Sequence, residues 1–150
     1  MLIGQNENQQ NIMIHITRRE RFNAAHRLWN ATWSEEKNRE VFGLCSNIHG
    51  HNWDLIVTVK GEIDPNTGFV MDLKALSKLM KQEVINKVDH TFLNEDVEFL
   101  KGKFPSTEVF AVEIWNILAP VIKNEFNSTL HCVKLIETPN HYVEYFGEGH

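Results

Sequence analysis

The chain has 150 residues, 42% apolar and 23% charged, the balance of an ordinary globular domain with its own core. Its formal net charge of -5 argues against a nucleic-acid-binding surface, which would be basic, but leaves room for an anionic ligand in a local basic pocket. Two cysteines, Cys45 and Cys132, are too few for a disulfide scaffold, and no apolar run is long enough to span a membrane.

The opening "MLIGQNENQQN" lacks the basic-then-apolar pattern of a signal peptide. The expectation is a soluble, cytoplasmic protein with no membrane or nucleic-acid partner. Residues 1–12 read as a flexible polar tail and 13–150 as a single domain.

The alternation of Ile12, Ile14 and Ile16 predicts a first strand running toward Phe22 and His26. "WNATWSEEKNREVFG" is mixed and polar, a loop or short helical turn. "WDLIVTVKG" (53–61) is a β-branched strand, and the turn chemistry of "GEIDPNTGF" predicts a hairpin returning through Phe69, Val70 and Met71. Asp72 is a candidate N-cap for a helix with Leu73, Leu76, Leu79, Met80, Val84 and Val88 at helical spacing. A second helix is expected from Pro105-Ser106-Thr107-Glu108, kinked or ended near Pro120. "TLHCVKLIET" and "HYVEYF" close the chain as two strands joined at Pro139-Asn140. The order ββααββ predicts an α+β fold, a four-stranded antiparallel sheet with two helices on one face. Its two open edges invite oligomerisation.

His49 and His51 stand two residues apart beside a strand, so both imidazoles can point to one face and toward one metal ion. Catalytic zinc takes three protein ligands and keeps one position open, and His26, at the end of the first strand, is the candidate third. Cys45, four residues before His49, has three readings: a fourth ligand closing a structural site, a thiolate activated by a nearby cation, or a small buried residue. Asp89 and His90 are adjacent, and neighbours on a strand point opposite ways; such a pair cooperates only in a turn, and alone reads as a capped helix end. Glu137 lies in an otherwise apolar strand; its carboxylate suits two parallel N–H donors of an amino-pyrimidinone ring, but alone it reads as an edge-strand residue facing water.

Six segments, "FNAAH", "CSNIHGH", "GEIDPNTGFVMDL", "VDHTFLN", "PSTE" and "KLIET", occur in an order that resembles the 6-pyruvoyl-tetrahydropterin and 6-carboxytetrahydropterin synthase family across residues 13–148. The resemblance implies a tunnelling fold, with subunits joined as trimers and two trimers stacked as a homohexamer. It implies Zn2+ on His26, His49 and His51, and proton transfer by Cys45 and by the Asp89–His90 pair. Glu137 would anchor the pterin, and Thr107 and Glu108 would line the pterin pocket of a neighbouring subunit. The implied substrate is 7,8-dihydroneopterin triphosphate. The family has two branches. The C-x3-H-G-H spacing is similar to the branch that makes 6-carboxytetrahydropterin, acetaldehyde and triphosphate for queuosine and other deazapurines. The long segment between His26 and Cys45 is more similar to the branch that eliminates triphosphate to give 6-pyruvoyl-tetrahydropterin. Weighting the spacing nearest the metal, the expectation is a 6-carboxy-5,6,7,8-tetrahydropterin synthase. The alternatives are the pyruvoyl enzyme and a non-catalytic zinc- or pterin-binding module.

Overall fold

The computed structural model describes residues 12–149. All of the expected polar tail but Ile12 lies outside the described residues.

Strands β1 (Met13–His26) and β2 (His49–Glu62) pair antiparallel without a break, from Met13 opposite Glu62 to His26 opposite His49. β2 therefore begins at His49, earlier than its β-branched run suggests, because the ladder continues past small residues: Ala25 faces Gly50 and Ala24 faces His51. β4 (Thr129–Thr138) pairs with β2, and β5 (His141–Tyr145) pairs with β4, both antiparallel. The expected antiparallel four are joined by a two-residue strand, β3 (Thr91–Phe92), parallel to β1, giving the order β3-β1-β2-β4-β5.

Alternation sorts β2 into two faces. Trp53, Leu55, Val57 and Val59 are fully buried against the helices, whereas Asp54, Ile56, Thr58 and Lys60 face the other way. The helix side of the core comes from α2 (Leu73–Met80), a wider turn over Lys81–Ile85, the short α3 (Asn86–Val88) and α4 (Thr107–Glu125). Asp72 caps α2 by accepting from the Lys74 N–H, and Ser106 caps α4 by accepting from the Val109 N–H. Leu76, Met80, Val84 and Val88 from the first layer and Phe110, Ile114, Leu118 and Ile122 from α4 are buried without exposure. Burying such side chains contributes on the order of 1.5–3 kcal/mol each before entropy is counted.

The structure decides three local expectations. The turn at Asp64 forms, with Gly68 at φ 79 donating to the Asp64 carbonyl, but residues 69–71 do not return as a strand; Asp72 caps a helix at once and ends the extended run. Of the two readings of the segment after His26, a loop or a short helical turn, the helical one holds and is longer than a turn. The segment carries α1 (Glu35–Phe42), capped by Ser34 and tied down by buried Asn38, which bonds to the backbone of Asn30 and Ser34. Of the two readings of Pro120, a kink or an end, the end does not occur: α4 runs on to Glu125, and Pro120 and Asn116, whose carbonyl it leaves without an N–H, are both exposed. Cys45 and Cys132 are both free thiols.

Candidate active site and metal centre

The end of the β1–β2 ladder assembles the histidines. His26 lies directly opposite His49, and His51 is opposite Ala24, so alternation sends all three imidazoles to the helix side of the sheet. One nitrogen from each ring lies within 4.8 Å of the others, and Cys45 is not part of this cluster. The rings stand on the aromatic core: Trp53 is 5.2 Å from His26 and 5.4 Å from His51, and Phe110 and Phe22 pack against Trp53 in turn. A Trp53 Nε1–H to Ala24 carbonyl bond of 3.1 Å holds the indole to β1.

Backbone carbonyls set two of the tautomers. His26 Nδ1 lies 2.8 Å from the Pro105 carbonyl and His49 Nδ1 2.8 Å from the Asn47 carbonyl. A carbonyl only accepts, so both rings carry hydrogen on Nδ1 and present a bare Nε2 to the cluster. Burial pushes His26 and His51 below the ordinary histidine range and keeps them neutral, with Glu137 opposing the shift in both. Neutral imidazole is the metal-binding form.

Glu137 completes the cluster. Its Oε1 lies 3.1 Å from His26 Nε2 and 3.4 Å from His51 Nε2, yet neither contact has hydrogen-bond geometry, and both nitrogens are buried without a hydrogen-bond partner. Buried lone pairs left unsatisfied cost stability. Three convergent imidazoles, two of them with orphaned nitrogens, fit a divalent cation with one position open, and zinc matches this donor set. Glu137 Oε2 contacts His141 Nε2 across the Pro139-Asn140 turn. The sequence reading passed over His141, although hairpin spacing after Glu137 marks it. The Pro105 carbonyl carried no sequence signal, because a main-chain acceptor has none.

The Asp89–His90 pair is no mere helix cap. It sits in a turn, where His90 takes a positive φ of 61, and its Nδ1 comes 2.9 Å from Asp89 Oδ1. Asn23 of β1 holds both: its N–H donates to Asp89 Oδ1 at 2.9 Å, and its carbonyl accepts from the His90 N–H at 2.6 Å. The Asn23 amide, with His90 beside it, holds the Asp89 carboxyl below its ordinary range. His90 and His51 line one hollow of about 510 Å³. A second cleft of about 810 Å³ runs from His51 and Glu137 onto the helix-free face.

Cys45 lies exposed in a tight turn over Gly43–Ser46, and its carbonyl accepts from the Leu28 N–H at 2.7 Å, which ties this turn to the chain just beyond His26. It closes no four-ligand site. Thr107 is buried in the first turn of α4 and Glu108 is exposed; neither lines the two clefts beside the histidines. Glu137 does not face water freely but turns inward to the imidazoles.

A family model described as 6-pyruvoyl tetrahydropterin synthase matches residues 15–148. A 6-pyruvoyl tetrahydrobiopterin synthase of Pongo abelii is 44% identical over 135 residues, covering 89% of this chain and 91% of the relative. The solved 6-pyruvoyl tetrahydropterin synthase of Caenorhabditis elegans superposes with a TM-score of 0.83 at 37% identity, covering 91% of this chain and 97% of that one. A 6-carboxy-5,6,7,8-tetrahydropterin synthase of Bacillus subtilis is 35% identical over 111 residues, covering 71% of this chain and 73% of the relative.

These likenesses overturn the expectation of a 6-carboxy-5,6,7,8-tetrahydropterin synthase serving queuosine synthesis: similarity to the pyruvoyl enzymes is higher and extends over more of the chain. The spacing argument failed for a physical reason. A three-residue gap sets only the backbone path from the Cys45 turn into β2, whereas the ordered excursion through α1 and its buried Asn38 is a whole packed element. The matched length, the strand order and the histidine cluster agree, and the chain belongs to the 6-pyruvoyl tetrahydropterin synthase family.

Proposed function

We propose that this chain is a zinc-dependent 6-pyruvoyl-tetrahydropterin synthase, a lyase that eliminates triphosphate from 7,8-dihydroneopterin triphosphate. The observation that carries the reading is the convergence of His26, His49 and His51 on one point, with Glu137 at their rim and His90, paired with Asp89, lining one hollow with His51. The 44% identity to a relative of that name supports the choice of product.

Zinc on the three histidines would act as a Lewis acid on substrate side-chain oxygens and acidify the neighbouring C–H and O–H groups. Glu137 holds the pterin by accepting parallel N–H bonds from its amino-pyrimidinone edge, which fixes the reacting carbons beside the histidines. His90 moves a proton, and Asp89 orients the ring through Nδ1 and stabilises its charged form. Cys45, exposed and outside the histidine cluster, is the second proton-transfer group. A homohexamer built as a dimer of trimers covers the open β3 and β5 edges and brings Thr107 and Glu108 of one copy to the pterin pocket of the next.

The test is to incubate zinc-loaded protein with 7,8-dihydroneopterin triphosphate and identify the pterin formed. The expected product is 6-pyruvoyl-tetrahydropterin with inorganic triphosphate. Release of acetaldehyde would overturn the choice of product. Zinc retention without turnover would leave a non-catalytic zinc- or pterin-binding module.

A further inference from the structure

We infer that the helix-free face of the sheet carries an oligophosphate subsite built from Arg19, Arg21 and Lys134, and that it holds the triphosphate end of the substrate. The assignment of this anion to the substrate rests on the function just proposed; the subsite itself rests on the geometry of the face.

The three cations share that face. Arg19 and Arg21 alternate on β1, so both side chains project to the same side. Arg19 is opposite Ile56, and Ile56 is opposite Lys134 on β4, so Arg19 and Lys134 stand in one row two strands apart, about 10 Å across. Arg21 is in the next row, opposite Asp54. All three line the 810 Å³ cleft that also reaches His51 and Glu137. Asp54 lies three residues beyond His51 on β2, about 10 Å along the strand. A ligand that reaches both ends is therefore elongated, with its anionic group away from the histidines.

The arginines are pre-positioned. Arg19 engages both oxygens of Asp54, through Nε at 3.0 Å and Nη2 at 2.6 Å. That pair alone satisfies a cross-strand salt bridge. Arg21 adds only Nε, at 2.9 Å, and its two terminal nitrogens have no protein partner among the described residues. Its side chain is 73% exposed, so it adds little as a surface ion pair and is placed to serve a ligand. Lys134 is held 3.7 Å over the Tyr142 ring and 3.5 Å from Glu144. A planar guanidinium fork beside an ammonium group is the donor set that recognises phosphate oxygens. Asp54 fixes the forks and offsets only part of their charge.

The experiment titrates full-length zinc-loaded protein with inorganic tripolyphosphate by calorimetry at fixed salt. Arg21→Ala and Lys134→Ala are each expected to raise the Kd about tenfold or more, the loss of one charge-assisted contact. Arg39→Ala, which removes the same charge from α1, should leave it unchanged. For the pterin triphosphate, both cleft variants should raise KM and keep kcat. No tripolyphosphate binding, or equal binding by wild type and both cleft variants, overturns the subsite. If binding follows the expected pattern and no pterin is turned over, the subsite stands and the proposed function falls. If 6-pyruvoyl-tetrahydropterin is made with KM unmoved by both substitutions, the function stands and the assignment of the subsite to the substrate's triphosphate falls.

Discussion

His141 Nε2 lies against Glu137 Oε2 across a two-residue turn, and the turn brings the Thr138 hydroxyl to the same ring. The carboxylate only accepts, so Nε2 carries a hydrogen and donates to it; the Thr138 hydroxyl, which accepts from the Asn140 N–H at 3.3 Å, lies 3.1 Å from Nδ1 at the other end of the ring. His141 thus positions the carboxylate and leaves acceptor capacity on both oxygens for a pterin edge.

His141→Ala should raise the pterin KM about threefold to tenfold, the worth of one net hydrogen bond, with kcat and zinc content kept. His141→Gln, which retains a donor, should recover part of the loss. Steady-state kinetics beside a zinc assay decide it, and an unchanged KM in the alanine variant would remove the positioning role.

Cys45 separates structure from chemistry. Because it is exposed and outside the histidine cluster, Cys45→Ala should keep zinc and thermal stability while turnover falls about 10²- to 10⁴-fold. Metal analysis and product formation on one preparation give the answer. Joint loss of zinc and stability would instead make the thiol a ligand.

Zinc should bind with a stoichiometry of one per chain through His26, His49 and His51. Substituting any one of them by Ala should cost most of the zinc affinity. Chelation should lower the melting temperature, since free zinc at a hundredfold its Kd stabilises the fold by about 2.7 kcal/mol. Calorimetric melting with and without chelator measures this; identical melting points would mean that the orphaned imidazole nitrogens do not form a zinc site.

Asp54 gives the acid limb of stability a defined sign. The Arg19 hydrogen bond, opposed by desolvation and aided by Arg21, holds its carboxyl below the ordinary 3.8. Below that value the unfolded chain binds more protons than the folded one, so stability falls as pH falls. The contribution is fully present above 3.8 and disappears as pH drops through the depressed folded value. Asp54→Asn should therefore show a shallower loss of melting temperature as pH falls below 3.8. A decline as steep as that of the wild type would show that the Arg19 and Arg21 contacts add nothing.

Most elements were legible because their signals are local. The Ile12, Ile14 and Ile16 alternation, the Asp72 and Ser106 caps and the turn at Pro139-Asn140 each act through neighbouring residues. The return strand at 69–71 was misread because turn chemistry at Asp64 says where the chain bends, not whether the next residues find a partner. Asp89 and His90 could not be weighed from the dipeptide: their alignment depends on Asn23, 66 residues away in sequence, which supplies both backbone bonds.

The sequence by itself determined the order of the four long strands and the two main helices, the three histidines and the family, because periodicity, capping and ordered motifs are written in side-chain type. Only the tertiary structure decided that Cys45 stays out of the metal cluster, that Glu137 turns inward against His26 and His51, and that His141 stands behind it. Those relationships depend on strand register and on main-chain groups such as the Pro105 carbonyl, which every residue type carries alike.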